Sequence, residues 1–454
     1  MKTIQKNNFI YLNNTKKIFS NRCWLNGKLQ PATVCIENNI ITAIHFNKID
    51  GAEDAGENIL MPGIIDAHVH INEPGRTDWE GFDTATQAAA AGGITTVVDM
   101  PLNASPVTTT VHAFNEKLEA SKSKLHVNVG FYGGLIPGNQ NDLDGLMQAG
   151  VLGIKCFLTH SGIDEFPNVN EKEINAAMPI IAKYGLPLLA HCEIFKKEVD
   201  NKFSDFPNSY RYYLESRPRQ WENDAIDLMI KLCRKHNCKT HIVHVSSAEA
   251  LVKIKQAKSE GLPITAETCA HYIYFNAEDI PDSNCLYKCA PPIREKENND
   301  QLKAALANGV LDFIATDHSP APPDIKELVT GNLLKAWGGI AGLQFLLPAS
   351  WTATKGKISI EKFIPLLTEQ PAKFLQADKH KGKLAVGYDA DLVIWNPDEQ
   401  FEVKPGDILH RYNCSPYNGQ KLYGTTQQTI VNGITVYQNK KIVHKNAGQW
   451  LLKK

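Results

Sequence analysis

Neither sign of charge is in surplus in this 454-residue chain: 48 basic residues stand against 49 acidic ones, a formal charge of −1. Without a net field, nothing draws the molecule as a whole to nucleic acid or to an anionic membrane surface, so its partners must be read from local sites. The region after Met1-Lys2-Thr3 lacks a signal peptide and a long apolar span, no segment is of low complexity, and the ten cysteines contain no CxxC pair. These absences favour a reduced, cytoplasmic setting. Cys285 and Cys289 make half of a zinc site at most, because no second pair faces them. What remains, 43% hydrophobic and 21% charged, is the composition of an ordinary globular chain with room for a large core and two domains. It permits an enzyme without demanding one.

The middle of the chain alternates short apolar runs with helical stretches, the pattern of parallel βα units. Eight such runs stand out: 64–70, 95–100, 126–132, 153–158, 187–192, 240–246, 263–268 and 312–317. Eight parallel strands over about 250 residues predict an α/β fold of the (β/α)8 TIM-barrel type, with functional residues at the carboxyl ends of the strands. Both flanks are β-rich. Val34 to Ile41 carries a hairpin with Asn38-Asn39 at the turn, and Gly382 to Trp395 and Ile430 to Val436 are strand-like. The chain therefore divides into residues 1–59 and 376–454, which form one small β-sandwich from the two ends, and a barrel over residues 60–375.

The polar residues at the run ends suggest chemistry. His68 and His70, at i and i+2 on a strand, point the same way and can reach one metal ion. Lys155 lies in the apolar stretch Gly153 to Leu158. Burial favours its neutral amine, the form that reacts with carbon dioxide to give an anionic carbamate able to bridge two cations. His191 ends the fifth run. In the sixth, His244 is favoured over His241, which lies earlier and, three residues away, on the opposite face. Asp317 is favoured over Asp312 because it ends its strand, and His318 is expected to point away into the barrel wall.

The segment Pro62 to His70, the segment Gly382 to Trp395 and the ligand spacing resemble the cyclic amidohydrolases of the amidohydrolase superfamily. Glu73 to Phe82, Lys155-Cys156-Phe157, Lys335 to Gln344 and Ser415-Pro416-Tyr417 are similar to the allantoinase pattern within that family. The likeness spans nearly the whole chain. It implies two divalent metal ions, one on His68, His70 and Asp317 and the other on His191 and His244, bridged by N6-carboxylysine at Lys155. It implies further that a shared hydroxide attacks the ring amide of allantoin to give allantoate, with Asp317 as general base. Zinc suits the nitrogen and oxygen donors, and iron, manganese or cobalt fit the same set. The family also implies a homo-oligomer, a tetramer, with a small-molecule substrate and neither nucleic acid nor membrane as partner.

Rival readings share this centre. Dihydroorotases place an arginine two residues after the second motif histidine, where this chain has Asn72; dihydropyrimidinases and hydantoinases place a tyrosine five residues after the bridging lysine, where it has His160. A non-catalytic scaffold of the same fold would lack ligands that are all present here. For substrate contacts the expectations are Asn72, His160, His271, Ser319, the backbone of Gly338 and Gly339, where glycine allows close approach, and Ala290. Related enzymes place Ser or Asn at the position of Ala290, so any hydrogen bond there must come from the main chain.

Overall fold

The structure, a computed structural model, describes residues 15–195 and 202–453. Its barrel strands are β1 (Ile64–Val69), β2 (Ile94–Asp99), β3 (Asn128–Phe131), β4 (Ile154–Phe157), β5 (Leu188–His191), β6 (Thr240–Ile242), β7 (Ile264–Cys269) and β8 (Phe313–Ala315). Each lies within one of the eight apolar runs or overlaps it by all but a terminal residue. Parallel pairing links β1 to β2 to β3 and, separately, β4 through β8 in order. Gly133–Gly134, just past β3, pairs with β4 and joins the two arcs. The circle closes where Val69 bridges His318 and His70 N–H donates to His318 O at 2.7 Å. The sixth and eighth runs leave the ladder early, after Ile242 and Ala315. Beyond those points His244 (φ 39°) and Asp317 (φ 46°) adopt the left-handed conformation, which is incompatible with a continuing strand.

The flanking strands form one nine-stranded sheet built from both chain ends. Its seam is the antiparallel pairing of Ile59–Pro62 with Leu392–Trp395. Asn38 and Asn39 (φ 48° and 69°) turn the hairpin between Lys28–Glu37 and Ile40–His45, where a two-residue turn with positive φ matches strand twist. The sheet folds over so that its far strands meet: Lys16 Nζ donates to Thr435 Oγ1 at 2.6 Å, and a side chain on Gly433 would lie 3.3 Å from Ile36. Val34, Ile36, Leu60, Leu392 and Ile430 fill the space between, completing the small sandwich.

The last strand departs from expectation. Trp450–Leu451 leaves the sandwich and pairs in parallel with β3 at the amino-terminal face of the barrel. Gly448 makes this possible, since a Cβ there would sit 1.9 Å from Val127 O. All ten cysteines are free. Among the described residues no helix is long and apolar enough to cross a membrane.

Candidate metal centre

The end of β1 and the turn after β8 bring His68, His70 and Asp317 together, with one donor atom from each within 4.8 Å of the others. No other group of three such residues occurs among the described residues. Partners behind the rings decide which nitrogens face the site. His68 Nδ1 lies 2.5 Å from Glu267 Oε1, and His70 Nδ1 lies 3.1 Å from Leu102 O. Both Nε2 atoms are thus left toward Asp317 Oδ1, each at 3.2 Å. Anchoring the far nitrogen of a ligating histidine in this way is what orients its lone pair. His68 Nε2 and His70 Nε2 thus meet at one carboxylate oxygen.

Lys155 stands beside them, fully buried, with Nζ lacking any hydrogen-bond partner and lying 5.0 Å over the Phe157 ring. Burial pushes its ammonium down to about 8. The rings of His191 and His244 lie 4.6 Å apart, centroid to centroid, and His244 lies 5.4 Å from His68. Burial holds both well on the neutral side of an ordinary histidine, as metal ligation requires. His191 Nε2 is bound to Glu193 Oε2 at 2.8 Å, and His244 Nδ1 is buried without a partner. Burial lowers His68 too, but the carboxylates of Asp317 and Glu267 overcome it and raise the ring to about 9. The local field therefore demands positive charge at this spot. Two orphaned buried atoms, on Lys155 and His244, would each cost about 1–3 kcal/mol if left unsatisfied. The donor set fits divalent cations beside a carboxylated lysine.

One geometric expectation fails. His241 does not lie on the outer face: its Nε2 is 3.1 Å from Glu267 Oε2, the same carboxylate that holds His68, and its ring stacks on Phe313. Both His241 and His244 face inward, because the positive φ of His244 breaks the strand alternation. Asp312 lies at the other end of its strand, accepting from Lys258 Nζ and Ala266 N. His318 points outward, its Nδ1 accepting from Gly342 N and Leu343 N.

A cavity of about 320 Å³ opens over the cluster, bordered by all six proposed ligands and by His160, Ala290, Ser319 and Gly338. Three expected contacts are not brought to it. Asn72 is buried, accepting from Asn103 and donating to Pro320 O at 3.4 Å. His271 is buried against Tyr272. Gly339 is glycine because a Cβ would meet Ser319 O at 2.3 Å, a packing reason rather than a ligand-facing one. The cavity adds residues that sequence reasoning passed over, chiefly Arg217, Lys288, Lys335 and Trp337. Lys335 and Trp337 stand in a segment that had already signalled the family; Arg217 and Lys288 lie in loops with no periodic or motif signal.

Residues 59–436 match the model of the amidohydrolase family. A probable allantoinase from Oryza sativa subsp. japonica is 41% identical, covering 96% of this chain and 90% of its own length. The allantoinase of Saccharomyces cerevisiae is 38% identical over 96% of this chain and 98% of its own. Among solved structures, an L-hydantoinase (dihydropyrimidinase) from Arthrobacter aurescens superposes with a TM-score of 0.89 at 29% identity, covering 96% of this chain and 99% of that one. On this evidence the chain belongs to the amidohydrolase family, alongside its allantoinase relatives.

Proposed function

We propose that this protein hydrolyses the cyclic amide of allantoin to allantoate. The observation that carries the reading is the convergence of His68, His70 and Asp317 beside a buried, unpartnered Lys155 at the mouth of the barrel, in a chain about 40% identical to allantoinases along most of its length. His68, His70 and Asp317 would hold one divalent cation, His191 and His244 a second, and Lys155, carboxylated on Nζ, would lie between them. Zinc is the first choice for such donors. When bound, the two cations lower the pKa of a water and polarise the ring carbonyl.

The chain's own groups do the rest. Glu267 and Leu102 O fix the rings of His68 and His70. His68 and His70 hold the Asp317 carboxyl well below the ordinary range despite its burial, so it is ionised, the state from which a general base acts. It takes that proton from the attacking water and returns it to the departing ring nitrogen. Phe157 and Trp337 supply apolar walls to the cavity.

The test is a substrate panel: metal-loaded protein with allantoin, dihydroorotate, dihydrouracil and hydantoin, each followed by ring opening. Position 72, where dihydroorotases place an arginine for the substrate carboxylate, holds an asparagine turned away from the cavity. Allantoin should exceed every other compound in kcat/KM by at least about 10²-fold. Comparable or faster turnover of dihydrouracil would move the protein to the hydantoinase and dihydropyrimidinase reading that its structural neighbours represent. We further infer a cytoplasmic homotetramer from the family, to be checked by fractionation and by solution mass.

A further inference from the structure

Arg217 sits at the meeting point of two parts of the molecule. It borders the cavity beside Lys155, His191 and Asp317. It also clamps Glu193 in a fork, Nε to Oε1 at 3.0 Å and Nη2 to Oε2 at 2.5 Å. The oxygen Oε2 is the one bound to His191 Nε2. Glu193 is buried between these two partners. A carboxylate held in a guanidinium fork only accepts hydrogen bonds, so His191 Nε2 beside it carries the ring proton and Nδ1 is the nitrogen left to face the site. Arginine is suited to the task, since its planar fork matches a carboxylate and it does not lose its charge.

The fork uses only one edge of the guanidinium. Nη1 makes no hydrogen bond to any described residue, and the side chain, 23% exposed, opens on the cavity wall. Lys288, the neighbouring cation of that wall, is already committed, donating to Ala336 O at 2.5 Å. Among the described residues, Nη1 is therefore left to whatever fills the cavity.

We propose that Arg217 is a positioning residue with two faces: through Glu193 it fixes which nitrogen His191 offers to the metal centre, and with its free edge it receives a carbonyl oxygen of the substrate. The second half rests on the reading of the protein as an allantoinase; the first does not. Three variants separate the halves. Arg217→Met keeps the aliphatic bulk and removes every donor. Arg217→Lys keeps charge without the fork, and Glu193→Gln offers an amide that no longer dictates the histidine tautomer. The readouts are zinc per chain after dialysis at fixed free zinc, the affinity of the weaker-held ion by chelator competition, and kcat and KM for allantoin.

In Arg217→Met and Glu193→Gln the weaker-held zinc should bind about 10- to 100-fold less tightly, the usual cost of losing a ligand's supporting partner. KM should rise at least 10-fold in Arg217→Met and much less in Arg217→Lys, whose ammonium still reaches a carbonyl. Arg219→Met, a neighbouring arginine paired with Glu249 and Glu295 at the surface, serves as the control with both readouts unchanged. Unaltered zinc affinity in Arg217→Met, or in Glu193→Gln should the first variant not fold, overturns the positioning role. Weakened zinc with an unchanged KM overturns the substrate-facing half. A parent protein that binds two zinc ions but leaves allantoin intact removes the allantoinase reading, while the zinc measurements still decide the role of Glu193 and Arg217.

Discussion

An amine buried as deeply as that of Lys155, with no acceptor in reach, is unstable as an ammonium, and its shift to about 8 leaves a usable neutral fraction near neutral pH. Carboxylation converts that liability into an anionic ligand. Lys155→Ala should therefore lower bound metal well below two per chain and abolish turnover, and short carboxylic acids in solution should restore part of it by standing in for the carbamate. Two retained metals with near-normal turnover would remove Lys155 from the centre. At Asp317 ligation and proton transfer can be separated. Asn keeps an oxygen for a cation but cannot take a proton, so Asp317→Asn should retain much of its metal yet lose at least about 10²-fold in kcat. Turnover within a few-fold of the parent would assign the base elsewhere.

At the scale of elements, the strands that supply the site stop short of it. β6 ends at Ile242 and β8 at Ala315, and their functional side chains stand two residues further on, in left-handed backbone. Sequence spacing reveals that these residues lie near a strand end, not that alternation has broken, so simple alternation puts His241 on the wrong face. The carboxy-terminal strand was equally hidden. Two residues, Trp450 and Leu451, carry no readable periodicity, and their partner β3 lies about 320 residues earlier. Its support is nonetheless specific: Gly448 N donates to Leu125 O, Val129 N to Gln449 O, Lys453 N to Gly150 O, and Trp450 Nε1 to Ser121 Oγ. At about 1 kcal/mol each, less the ordering entropy of the segment, this tie is worth a few kcal/mol. A chain ending at Ala447 should melt several degrees lower while keeping its kcat, because the tie lies on the barrel face remote from the site. An unchanged melting temperature would show that the segment contributes nothing to stability.

For the molecule as a whole, the barrel and the proposed ligands were legible because their signals are local: eight apolar runs, the spacing of His68 and His70, and one lysine in an apolar strand. The supporting network was not. Glu267 joins His68 to His241 across about 200 residues, and Arg217 reaches His191 only through Glu193, pairings that exist once the barrel has closed and leave no pattern in the chain. The flanking sheet has a consequence of a different kind, in the order of synthesis. Ile59–Pro62 is bonded on one side to the strand at Lys16–Leu25, but its other side is completed by Leu392–Trp395, about 330 residues downstream. At the usual 5–20 residues per second, the ribosome leaves that edge open for roughly 15 to 65 seconds. Throughout that interval the nascent chain offers an unpaired ladder next to an apolar face, the state in which strands of neighbouring chains find one another. The architecture that unites the two flanks thus keeps an early-made strand waiting for a partner made much later.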